Sequence, residues 1–551
     1  MRFLRAGAIV GVAAAIVAGW TLLQPRIGKE ISSHSSFSLF GSLSSPTTYY
    51  IRPGGSDTAL GTSPATAWRT LARASRAVLK PGDRLLLLGR HNYAGQLTLN
   101  SADAGNVRTP VQISSYGKGR ATITSRANGI MIFDTAGVTI RNLLITGQSA
   151  FKPKYAGIQL FSDRTKGRLG NIFISRVNVS RFGFGIEIGA IHDGAGFRNV
   201  RITSSSVHGN LDAGLVSYGP DYTLGARGYA HQDIYISRVR AFRNPGDPQN
   251  TVHNTGSGIE LGSVRGATVT NSQAFGNGGS GGTTSEGPIG MWAYDSTRVA
   301  MTHDVSFRNK SSNVHDGGGF GLDKDTSNSV LEYDMSYGNH GVGLLLYNRP
   351  SDPIGQTGNV VRFNISYGDA RESRHVMGGM AAGGRISNAT YYQNTVIMTG
   401  SGNKQPAFKA TGIQSNVRVL NNILISSAGP VVETVQAKTT RQVLFVGNDY
   451  RATAGTWVIQ WGPANEYFSL ATWRAAVDEE RVAGHATGTV APPLFLGPLS
   501  GAPDGAGFVL RPASKLIQAG LNLKLRFGIR TGTTNFAGRA YLVRAPNVGA
   551  Q

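Results

Sequence analysis

No cysteine occurs among the 551 residues, which excludes disulfide staples and every metal site built on thiolates. Carboxylates are scarce: 31 Asp and Glu stand against 54 Lys and Arg, a formal net charge of +23. A surplus of that sign draws anionic partners but does not dictate a fold. The basic residues are scattered along the chain with no Lys/Arg-rich stripe, so no nucleic-acid partner is expected. The sequence also lacks a phosphate-binding loop, a dinucleotide fingerprint, a nucleophile elbow and any His spacing of zinc-site type. Nucleotide-driven chemistry and the common serine-hydrolase arrangement are thereby set aside.

What is present begins with a targeting signal. Arg2 and Arg5 precede an apolar run over residues 6–23, interrupted only by Thr21. A basic flank followed by such a run reads as a signal peptide or an uncleaved membrane anchor (residues 1–25), and it places the rest of the chain outside the cytoplasm. A Ser-rich linker over 26–48 follows. From Tyr49, "YYIRPGGSDTALGTSPATAWRTLARASRAVLKPGDRLLLLG" reads as a short strand, a loop, an amphipathic helix carrying Trp68, Leu71, Ala74, Val78 and Leu79, a turn, and a buried strand. Such a unit would cover the open end of a stacked core.

A repeat then takes over. One strand recurs as "VRITSSSVHGN", "IYISRVRAFRN", "ATVTNSQAFGN", "VAMTHDVSFRN", "SVLEYDMSYGN" and "NVVRFNISYGD". It closes at Asn210, Asn244, Asn277, Asn309, Asn339 and Asp369, at intervals of 34, 33, 32, 30 and 30 residues. A steady period in that range marks a solenoid, and the alternation of apolar and polar residues is β, not helical. Stacked Asn side chains at one turn can bond to their own backbone and to each other, so that column is read as structural. A second strand recurs from "GFGIEIG" through "GGMAAGGR", entered mostly at a Gly-rich turn and placing Ile186, Leu215, Ile259, Met291, Leu322, Leu344 and Met380 inward. The reading is all-β: a parallel solenoid over 49–445 with an N-terminal cap, and a C-terminal extension over 446–551 packing on the last coils with a short helix around 469–479.

The opening segment, the coils and the tail strings "YFSLATWRAAVDEE" and "LRPASKLIQAGLNL" resemble the secreted right-handed parallel β-helix proteins of the pectate-lyase-like superfamily. The resemblance spans about Tyr49 to Leu523. It implies the fold and a polysaccharide partner, compatible with an acidic one. It does not select among lyases, hydrolases, epimerases, esterases and adhesins.

Alternation along the second strand gives two outward columns. The first runs Glu187, Val216, Glu260, Trp292, Asp323, Leu345, Ala381; the next runs Gly189, Tyr218, Gly262, Tyr294, Asp325, Tyr347, Gly383. Asp323 and Asp325 then share one face beside Trp292, Tyr294 and Tyr347, at the low edge of the ~6.5–9.5 Å separation that inverting glycosidases use. Glu260, two coils away, is a further candidate partner. Paired Asp residues on an outer strand of a central coil are also what the resemblance implies for its hydrolase branch, carried here by "GGFGLDKDTSNS". If the strand instead ends near Asp323, Lys324 sits in a turn and the pairing breaks.

Three other readings stay open. In one, Asp295, Asp304, Asp323 and Asp325 converge as oxygen ligands for Ca²⁺. The resemblance then implies a lyase using Lys324 or Arg349 as base on a uronate polymer. His315, beside Asp316, is a candidate proton shuttle. Tyr218, Lys324 and Arg349 are candidate substrate contacts. The third alternative is a carbohydrate-binding protein without catalysis.

Overall fold

A computed structural model of the chain describes residues 45–551 apart from 149–153, 222–224, 226–227, 373–377, 401 and 500–504. The apolar run at 6–23 and most of the Ser-rich linker lie outside the described residues. Among the described residues no helix is long and apolar enough to cross a membrane.

The chain winds into a parallel β-helix. A 25-stranded sheet and a 14-stranded sheet run its length. Each coil contributes one strand to the smaller sheet and, in most coils, two short strands to the larger. Those two meet at a corner residue in the left-handed conformation, such as Arg176 (φ 53°), Arg238 (φ 53°) or His303 (φ 58°). Neighbouring coils pair in register. Ile186, Leu215, Ile259 and Met291 stack one above another, as do Val200, Ile234, Ala267 and Val299. These side chains are fully buried or nearly so. Each buried Val, Leu or Ile contributes about 1.5–3 kcal/mol, and the same cross-section repeats along the axis.

The Asn column is structural. Asn210, Asn244, Asn277, Asn309, Asn339 and Asp369 are buried. The backbone N–H of each of the five Asn donates to the side-chain oxygen of the next coil, for example Asn309 N to Asn339 Oδ1 at 2.9 Å. A second ladder runs at the other corner through Asp304, Asp334, Asn364, Asn394, Asn422 and Asn448. It ends on Glu480, whose carboxylate accepts from Asn448 N and Nδ2 and from the Tyr450 hydroxyl.

The N-terminal cap differs from expectation in extent. Its helix is only Leu71–Ala74, capped by the Thr70 hydroxyl. Trp68 precedes it, stacking on Tyr49 at 4.8 Å under the Arg73 guanidinium. Val78 is exposed, because the chain has already turned toward "KPGD". At the other end the last parallel strand is Ile459–Trp461, a coil past residue 445. The helix Leu470–Val477, capped by Ser469, follows it. The remaining tail doubles back along the outer face of the long sheet. There Phe508, Leu510, Leu516 and Val548 cover Met335, Ile365, Ile397, Ile423 and Ile425, and Leu523 covers Phe363, Tyr392, Leu420 and Val446.

Candidate cleft on the outer face of the smaller sheet

The register of the smaller sheet rearranges the two columns read from the sequence. Glu187, Val216, Glu260, Trp292, Gly321, Leu345 and Ala381 form the first. The coil Gly318–Leu322 enters two residues earlier than expected. Phe320, not Leu322, stacks between Met291 and Leu344, while Leu322 pairs with Ala293 and Leu346. Both Phe320 and Leu322 are apolar and buried, so alternation alone fits either register. The consequence falls on the acids. Asp323 N donates to Ala293 O at 2.7 Å, placing Asp323 between Tyr294 and Tyr347 in the second column.

Asp325 is not its partner on that face. The strand ends at Leu322, and Lys324 and Asp325 both take positive φ (23° and 55°) in the turn. Asp325 is 2% exposed; its Oδ1 accepts from the N–H groups of Ile354 and Gly355, and its own N–H donates to Asn348 Oδ1. It staples the next loop.

The four-acid cation cluster does not assemble either. Asp304 lies in the second ladder, taking Ser272 N at 2.6 Å. Asp295 is paired with Lys324, whose Nζ sits 3.2 Å from Asp295 Oδ2 and 2.8 Å from Asp221 Oδ2. Among the described residues no three His, Asp or Glu side chains are grouped to hold a metal ion. The Lys324 ammonium pairs with both acids; burial lowers its pKa, but the two carboxylates outweigh that and raise it. That is the opposite of what a lysine base needs.

The groups that do share electrostatic surroundings are Glu260, Asp323, Arg349 and several residues the sequence reading passed over. His253 Nε2 lies 3.0 Å from Asp212 Oδ2. Burial and the neighbouring Asp212 carboxylate push Glu260 up to about 8, with Glu286 adding to the effect and His253 opposing it. Burial and Asp316 push Asp323 up to about 8, with Arg349 opposing. Arg349 reaches Glu286 at 3.7 Å, so it links the two acids' surroundings. Asp316 accepts from Gly287 N at 2.9 Å and is pushed by burial to about 6. His315, next to Asp316 in the chain, donates its backbone N–H to Asn313 Oδ1. Stacked coils are ~4.8 Å apart and i,i+2 residues ~6.7 Å, which puts Glu260 and Asp323 about 12 Å apart at Cα on one face.

The aromatic residues form the floor more than a platform. Trp292 is 7% exposed, donates Nε1–H to Ser257 Oγ at 3.0 Å, and packs on Tyr294 at 5.2 Å. Tyr294 lies across Gly262, where a Cβ would come within 2.2 Å of its ring. Tyr218 is likewise buried and donates to Glu187 Oε1 at 2.6 Å, while Gln159 Nε2 holds the other oxygen at 3.0 Å. Burial pushes Glu187 up to about 7. Tyr347 keeps a partly exposed ring. His253, Asp212 and Glu286 sit in loops between strands, where residue periodicity carries no signal; the only cue was that each borders a recurring strand of the repeat.

No protein-family model matches the sequence, and no curated protein does either. Among solved structures, the chain is similar to XylC in complex with xylose, with a TM-score of 0.50 and 8% identity over 92% of this chain and 98% of that one. The chain has the right-handed parallel β-helix fold. A GH136 lacto-N-biosidase from Eubacterium ramulus gives a TM-score of 0.46 and 14% identity over 75% of this chain and 68% of that one. Pectate lyase Pel9A gives 0.39 and 16% over 93% and 97%. At 8% identity the likeness to XylC speaks for the fold alone.

Proposed function

We propose that this β-helix is an extracytoplasmic glycoside hydrolase acting on a neutral stretch of polysaccharide, with Glu260 and Asp323 as its acid pair. The observation that carries the reading is the placement of these two acids, both pushed up to about 8, on one face of the sheet over a floor of Trp292, Tyr294 and Tyr347. An acid held protonated at neutral pH can deliver its proton to a glycosidic oxygen. Its partner must be ionised to activate water. Asp323 faces the Arg349 guanidinium, which favours the carboxylate once a substrate engages the neighbouring acids; Glu260 is then the proton donor. Asp212 favours the charged form of the His253 imidazole near Glu260, and Arg349 sits near Asp323, so each acid has a basic group beside it.

The acid-rich surroundings count against a uronate substrate. Asp212, Glu260, Glu286, Asp316 and Asp323 would repel its carboxylates, and Lys324 is held between Asp221 and Asp295. The extracytoplasmic setting rests on the basic and apolar N-terminal segment.

The test incubates the purified chain with neutral and uronate polysaccharides and follows reducing ends together with ultraviolet absorbance. We expect neutral chains to shorten without an unsaturated product, and Glu260→Gln and Asp323→Asn each to lower the rate at least about 10²-fold. An absorbing unsaturated product, full activity in either variant, or no shortening of any glycan would each overturn the reading.

A further inference from the structure

The basic residues that look scattered in sequence are gathered by the winding of the chain. Over residues 138–147, 169–181, 197–209, 231–243, 264–276 and 297–308, the outer surface of the long sheet carries eleven arginines and no lysine. All eleven are exposed, and among the described residues none is within ion-pair distance of a carboxylate. The same surface exposes one acid, Asp233; Asp304 is buried in its ladder.

The arrangement is periodic. Arg181, Arg243 and Arg308 occupy one turn in alternate coils, with Gly209 and Gly276 between them, as the hydrogen bonds from turn to turn establish. At ~4.8 Å per coil they recur every ~9.6 Å. Arg176 and Arg238 alternate in the same way at the corner, with Ser204 between them. Between the two rows runs a stack of half-buried rings: His208, Phe242, Phe275 and Phe307, at 4.8, 5.0 and 4.8 Å. The Arg240 guanidinium lies 5.2 and 5.3 Å from the two central rings. The C-terminal extension covers the next coils of this face, where Phe508 meets Tyr367, and it leaves the arginine-bearing coils open.

We infer that this face is a docking surface for a linear anionic polysaccharide, distinct from the acid-lined cleft on the smaller sheet. Charge complementarity fixes the sign of the partner, and an all-arginine set favours the carboxylate or sulfate groups that a guanidinium binds in bidentate fashion. The two rows flank the ring stack of one short strand per coil and run parallel to the axis, so a linear polymer can lie along the axis between both. A single-stranded nucleic acid would add the stacking of its bases on free ring faces, and here those faces are taken by neighbouring rings. Such a surface would hold the enzyme on an anionic matrix while the cleft works on another segment.

The test measures binding of the full chain to polygalacturonate, with dextran, poly-dT and phosphatidylglycerol vesicles as comparators, over a range of salt. Polygalacturonate should bind with an affinity that falls as salt rises, and dextran should not bind. The triple change Arg181→Gly, Arg243→Gly, Arg308→Gly installs the residue that the intervening coils already use at that turn. It should weaken polygalacturonate binding by about tenfold and flatten the salt dependence. Arg108→Ser, Arg441→Ser, Arg544→Ser removes the same charge elsewhere on the surface and should change binding less than about twofold. Equal weakening by both triples would overturn the proposal, as would tighter binding to poly-dT or to the vesicles. Cleavage of neutral glycan should be unchanged in both triples, so failure here and failure of the hydrolase reading give different results.

Discussion

Truncating one rung of the Asn ladder offers a direct measure of what holds the coils in register. Asn339 is fully buried. Its Oδ1 accepts from Asn309 N and from Asn309 Nδ2, both at 2.9 Å. Its Nδ2 donates to Asp369 Oδ1 at 2.8 Å, Ser336 Oγ at 3.0 Å and Ser306 O at 3.2 Å. In Asn339→Ala, the Asn309 amide keeps its bond to Ser306 Oγ, but the Asn309 backbone N–H loses its acceptor in a place water does not reach. One orphaned buried donor costs about 1–3 kcal/mol. The emptied volume and the lost bonds to Asp369 and Ser306 bring the expected total to about 3–4 kcal/mol. The assay is equilibrium urea unfolding followed by circular dichroism. Amide exchange at the adjacent coils serves as a second readout, because a solenoid can open locally before it melts. The amides of coils 305–309 and 335–339 should lose protection before those near Ile186. A loss below about 1 kcal/mol, with exchange unchanged, would refute the idea that the ladder sets coil-to-coil stability.

Other expectations follow from the same geometry. Hydrolysis should peak near pH 8, because Glu260 must keep its proton while Asp323 loses its own and both are pushed up to about 8; a rate that keeps rising to pH 10 would contradict that assignment. Asp334→Asn should stabilise the fold at pH 8 more than at pH 5. Burial and the adjacent Asp304 raise this carboxyl's pKa, so its contribution is present at low pH and lost as pH rises, and thermal melts at the two pH values check the sign. An Asn there gains the partners Asn364 has one coil on, where the amide donates to Leu331 O and Asn394 Oδ1. Lys324→Met removes the ammonium that pairs with Asp295 and Asp221 and should cost about 2–3 kcal/mol, less than a fully buried pair because Lys324 is a fifth exposed; an unchanged urea midpoint would refute it.

The sequence by itself determined the winding. A ~30-residue period, β alternation and a closing Asn in each coil specify a parallel solenoid, because a strand that buries Val, Ile and Leu on one face must stack on copies of itself to keep them from water. It also located the sheet face on which Glu260, Trp292, Tyr294 and Tyr347 lie, since their positions follow from period and alternation alone. Tertiary structure decided the rest. Phe320 and Leu322 are both apolar, so only the pairing of Ile289 with Gly318 fixed which of them faces Met291, and with it the place of Asp323. Whether Asp325 reached the groove depended on two left-handed residues in a turn, which alternation does not encode. The partners of the acids, His253, Asp212 and Glu286, come from loops of unequal length, and their meeting depends on how those loops fold over the sheet. The arginines, dispersed over more than 160 residues, form one surface only because each coil returns the chain to the same side of the axis.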